Sequence, residues 1–149
     1  MSPELSTFRA TAYSHMAQMW FGNPQLHYEV WIRSRMGVIE LGLHFEADPL
    51  TNARLLAAFK ARERAIREEL GVAACVEPWD KGWARVWESV PLGTLDTEIL
   101  ERLALRMTAY ITALEPILRD ELPSDVAWSE PRVGSDQRAA TGARAKQRR

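Results

Sequence analysis

The chain has 149 residues, a formal net charge of −1 and a 46% hydrophobic share, which suits one domain able to bury a core without metal or disulfide support. Cys75 is the only cysteine, which excludes an internal disulfide and fits a reducing, cytoplasmic setting. No basic-then-apolar leader opens the sequence and no apolar run reaches spanning length, so neither secretion nor a membrane partner is expected.

Ser2, Pro3 and Glu4 read as a helix start, and Leu5, Phe8, Ala12, Met16, Met19 and Trp20 recur at helical spacing up to the stop at Gly22, Asn23 and Pro24. A peripheral helix over residues 3–21 is therefore expected. Residues 26–32 and 38–46 alternate strictly, and Arg33, Ser34, Arg35, Met36 and Gly37 between them supply a hairpin turn. Asp48 and Pro49 cap a helix that Gly71 ends, with Leu55, Leu56, Phe59, Ile66 and Leu70 as its apolar stripe. Residues 73–79 and 83–89 form a second hairpin across Asp80, Lys81 and Gly82, in which Pro78 belongs on an edge or near the turn. A last helix runs from about 95 to 122, with Pro116 expected to kink it or split off its final turn.

The order α-β-β-α-β-β-α predicts an α+β two-layer sandwich, a four-stranded antiparallel sheet with helices packed on one face, forming one domain over residues 1–122. Residues 123–149 have the composition of a disordered basic tail. From Arg132 to Arg149 there are six basic residues and one acid, Asp136, which leaves 13 basic and 19 acidic residues in the body. An acidic body matches a phosphate backbone poorly, so a nucleic-acid contact would run through that tail.

Strand side chains alternate between faces, so the first hairpin gives two chemically different sides. Tyr28, Val30 and Ile32 share one with Ile39, Leu41, Leu43 and Phe45, a core face. Pairing Ile32 with Ile39 keeps apolar against apolar, and the same register sets His27 opposite His44, Glu29 opposite Gly42 and Trp31 opposite Glu40. Two H-x-E triplets, His27 to Glu29 and His44 to Glu46, thereby converge on the solvent side of the sheet. Imidazole and carboxylate are ligands for zinc, iron or manganese, so His27, Glu29, His44 and Glu46 are candidate ligands of a divalent metal. No other cofactor is expected: no phosphate-cradling glycine loop or dinucleotide fingerprint is present. The alternative is a hydrogen-bonded polar cluster lying under the first helix.

On the second hairpin Cys75, Glu77 and Trp79 share a face with Trp83, Arg85 and Trp87. Arg85 between tryptophans allows cation–π stacking, and with Trp31 these rings make a partly aromatic face. Three occupants suit it: the first helix through Phe8, Met16, Met19 and Trp20, a second copy in a homodimer, or a planar ligand.

The pattern HYEVW, IELGLHFE, a helix ending in LG, then WDKGWARVWESVP, resembles an uncharacterised bacterial family of small α+β proteins, over about residues 26–118. More distantly it is similar to an α+β domain that follows restriction-endonuclease-like domains, which implies an accessory role in nucleic-acid processing or defence. The nuclease part itself has no counterpart here. The resulting expectation is a non-catalytic cytoplasmic binding or assembly module, a homodimer or protein partner meeting the face of Trp31, Trp79, Trp83, Arg85 and Trp87. The alternative is a metal-dependent enzyme centred on His27, Glu29, His44 and Glu46.

Overall fold

The computed structural model describes residues 9–12 and 14–122. The strands are β1 (Arg9–Ala12), β2 (Met16–Trp20), β3 (Leu26–Arg33), β4 (Val38–Phe45), β5 (Cys75–Pro78) and β6 (Ala84–Pro91), and the helices are α1 (Pro49–Ala61), α2 (Glu63–Leu70) and α3 (Thr97–Glu121). The strands form one antiparallel sheet in the order β1-β2-β3-β4-β6-β5. The α+β class holds, but the sheet has six strands among the described residues rather than four.

The two extra strands replace the expected first helix. Residues 3–8, the start of that helix, lie outside the described residues, as do Trp128 and the basic tail from Arg132 to Arg149. From Met16 to Trp20 the chain pairs with β3 instead of coiling. Met16, Gln18 and Trp20 are buried on one side while Met19 packs against the core on the other. A strand with both sides covered loses the polar–apolar alternation that identifies strands, and its apolar residues then also fit a helical period. Gly22, Asn23 and Pro24, read as a helix stop, serve as a hairpin turn. Asn23 Oδ1 accepts from Gln25 N–H at 2.9 Å, and the Asn23 carbonyl accepts from Leu26 N–H at 3.0 Å.

The first hairpin has the register deduced from its alternation: Ile32 pairs with Ile39, Glu29 with Gly42 and His27 with His44. Gly37 closes its turn at φ +66°, a conformation that disfavours any side chain. On the apolar side, Tyr28, Ile39, Leu41, Leu43 and Phe45 pack against Leu55, Phe59, Ile66, Leu70, Tyr110 and Leu114 from the three helices. Asp48 caps α1 by accepting from Thr51 N–H at 3.0 Å. The single helix read over 49–70 breaks at Arg62 (φ −101°, ψ 7°), with no glycine or proline to signal it. Arg62 compensates with its own side chain, donating to the Ala58 carbonyl at 3.0 Å and pairing with Glu121 of α3 at 2.8 Å. The last helix continues past Pro116 to Glu121 as one element, so no terminal turn splits off; Pro116 is exposed, where water can meet the carbonyl it leaves unbonded.

β5 is an edge strand, as Pro78 suggested, and its outer rim is covered by side chains. Val76 N–H donates to Glu63 Oε2 at 3.0 Å, the Val76 carbonyl accepts from Lys60 Nζ at 3.1 Å, and the Ala74 carbonyl accepts from Arg67 Nε at 2.8 Å. The hydrogen bond from Val76 is the leading reason the Glu63 carboxyl titrates below its ordinary range.

Asn52 joins the start of α1 to the β5–β6 turn. Its Oδ1 accepts from Ala47 N–H at 2.9 Å, while Nδ2 donates to the carbonyls of Ala47 and Gly82 at 2.9 and 3.0 Å. Asn52→Ala removes three part-buried hydrogen bonds to the backbone and is expected to lower stability by about 2 kcal/mol, read as a shift of the urea midpoint.

Candidate metal centre

The side of the sheet turned away from the helices carries the histidines and acids, and it is not the solvated face that the alternation implied. His27 is 2% exposed, Glu29 2% and His44 3%. The register brings together all four residues of the H-x-E triplets. Each offers one donor atom, and these atoms lie within 4.8 Å of one another, the one such convergence among the described residues. His27 Nε2 lies 3.4 Å from Glu29 Oε1 and 3.7 Å from Glu46 Oε2. His44 Nδ1 lies 3.3 Å from Glu46 Oε2, and His44 Nε2 lies 3.8 Å from Glu29 Oε2. The two imidazoles stand nearly parallel, 7° apart, with centroids separated by 5.6 Å.

The tautomer of His27 follows from its second nitrogen. Nδ1 is 2.8 Å from the Pro24 carbonyl, which only accepts, so Nδ1 carries the proton and donates. In the neutral ring Nε2 then bears a lone pair, and this buried atom makes no hydrogen bond. Its neighbours at 3.4 and 3.7 Å are carboxylate oxygens, which are also acceptors. Carboxylate oxygens on two sides of Nε2 call for positive charge at that point, supplied by a proton on the ring or by a metal ion.

Gln18 is a member of this cluster that the sequence reading missed, because it was assigned to a peripheral helix. It sits opposite Glu29 on β2 and donates from Nε2 to Glu29 Oε1 at 3.0 Å. No local signal marks it, because Met16, Gln18 and Trp20 share one buried side.

The aromatic set assembles beside the histidines. Arg85 pairs with His44 in the register of β4 and β6. Its guanidinium lies 3.7 Å from the ring centroid of Trp87 and 4.6 Å from that of Trp79. The stacking partners are thus Trp87 and Trp79, not Trp83, which instead contacts Trp79 with centroids 5.8 Å apart. Trp79 and Trp83 flank the 80–82 turn instead of lying within strands. Trp79 also meets His44 edge-on at 5.0 Å, tying the rings to the histidine and glutamate cluster. Arg85 is committed to carboxylates as well, donating to Glu40 at 3.1 Å and to Glu77 at 3.1 Å, and Arg33 reaches the same Glu40 at 2.8 Å while covering Trp31.

No family model, curated protein or solved structure matches this chain. Among the described residues, no helix is long and apolar enough to cross a membrane.

Proposed function

We propose that this protein binds a divalent transition-metal ion through His27, Glu29, His44 and Glu46 and works as a metal-dependent protein. The supporting observation is the convergence of one donor atom from each of the four residues, with His27 Nε2 buried and without a hydrogen bond beside a Glu29 carboxylate oxygen at 3.4 Å, and the ring oriented by the Pro24 carbonyl. One donor atom from each residue lies within 4.8 Å of the others, so modest side-chain adjustment brings the set to the donor separation of about 3.3–3.4 Å that a tetrahedral ion with bonds of about 2.0–2.1 Å requires. Two nitrogen donors favour zinc, iron or manganese over magnesium or calcium, which prefer oxygen alone. With four protein ligands the ion would be held in a closed site; it would polarise a bound water or a carbonyl or phosphoryl oxygen only if one ligand yielded its position. The indole and guanidinium set supports a stacking platform less well, since Arg85 is already held by Glu40 and Glu77.

Elemental analysis of protein purified without an affinity tag is expected to find one divalent transition metal per chain. At a hundredfold excess of zinc over Kd the metal-free protein should gain about 2.7 kcal/mol, seen as a raised Tm, and His27→Ala and His44→Ala should lose both ion and gain. Wild-type protein with neither bound metal nor a thermal response to zinc or manganese rules the reading out.

A further inference from the structure

We propose that Gln18 is a positioning residue of this centre, holding the Glu29 carboxylate in the orientation that receives the ion; this rests on the metal reading above. Gln18 is 4% exposed and lies directly across the β2–β3 ladder from Glu29. Its amide nitrogen is 3.0 Å from Glu29 Oε1 and 3.6 Å from Met16 Sδ. A carboxylate has no proton to give, so the amide must present its N–H to Glu29. That bond occupies a lone pair of Oε1 and restrains the terminal torsion of Glu29, which is otherwise broad and nearly two-fold. With it in place, a second contact between Oε1 and an ion competes with the amide. Without it, the carboxylate is free to turn and chelate through both oxygens. The centre therefore has matched outer supports, the Pro24 carbonyl behind His27 and the Gln18 amide behind Glu29. Partners of this kind commonly change metal affinity by about 10- to 100-fold when removed.

The test is cobalt(II) titration of the full chain followed by its visible absorption, comparing wild type with Gln18→Met, close in volume but unable to donate, and Gln18→Asn, polar but shorter. Wild type is expected to bind one cobalt with the intense bands of a four-coordinate ion. Both variants should bind about 10- to 100-fold more weakly, with dimmer, shifted bands as Glu29 raises the coordination number. If Gln18→Met does not fold by circular dichroism, Gln18→Asn decides alone. Wild-type affinity and spectrum in the folded variants overturn the role of Gln18 while leaving the metal centre standing. A wild type that takes up no cobalt removes the centre, and the role of Gln18 with it.

Discussion

Gly42→Ala is expected to lower stability by about 3 kcal/mol, read from the guanidinium or urea midpoint at unchanged m value. The reason is position, not backbone conformation. Gly42 lies between Glu29 of β3 and Trp87 of β6 in the ladder. A Cβ there would press on the Val86 carbonyl oxygen and come within 2.7 Å of both Cα and Cβ of Trp87. These are atoms of the adjoining strand, not the far end of a flexible side chain, so β6 itself must shift. Because β6 also carries Arg85, opposite His44, the substitution should weaken the proposed metal site too. A loss below about 1 kcal/mol would mean that β4 and β6 do not approach this closely.

The second large effect concerns a carboxylate on the opposite side of the sheet. Glu115, on α3, is 1% exposed and its Oε2 accepts from the hydroxyl of Tyr28 at 2.8 Å. Burial pushes the Glu115 carboxyl above its ordinary 4.5, against the lowering influence of Tyr28 and Arg119. The same burial, followed by the charge of Glu115, drives the Tyr28 phenol well above its usual range. Glu115→Ala orphans the buried Tyr28 hydroxyl and is expected to be destabilising by about 3 kcal/mol. Glu115→Gln keeps an acceptor for Tyr28 and removes the desolvated charge. A carboxyl with a raised folded pKa binds its proton more tightly in the native state. Its contribution is full at pH below the unfolded value and is lost as pH rises through the folded one. Wild type should therefore lose stability relative to Glu115→Gln as pH climbs from about 4.3 through that raised value, with the difference level above it. Parallel stability profiles for the two proteins from pH 4 to pH 8 would contradict this.

Legibility in the sequence tracked how unequal the two sides of each element are. The hairpin of β3 and β4 is readable to the residue pair because Tyr28, Leu41 and Leu43 alternate with His27, Glu29 and His44, so a one-residue slip mixes the sets, and pairing Ile32 with Ile39 across the short turn gives the register observed. That register alone brings the four candidate ligands onto one patch of the sheet. What alternation could not disclose was their burial, because nothing local says whether a polar face is wet. β2 was misread for a related reason: with Met16, Gln18 and Trp20 buried on one side and Met19 packed on the other, no polar face remained to mark a strand. Gln18 was lost along with it. The break at Arg62 was invisible because the residue ends α1 with its own guanidinium, a contact that depends on Glu121 nearly sixty positions onward. Arg85 was placed among tryptophans from spacing, yet the choice of Trp79 over Trp83 depends on how the 80–82 turn folds back, with Lys81 at φ +56°.

The sheathed margin of β5 restricts how copies of this protein can meet. An uncovered strand is a template onto which another chain adds its own, the route to edge-to-edge polymers and fibrils. Here Lys60, Glu63 and Arg67 already occupy the hydrogen-bonding positions that an incoming strand would need, and Pro78 has no N–H to offer. Continuation of the sheet in that direction is closed, so two molecules that associate must do so through side-chain surfaces or at the other end of the sheet.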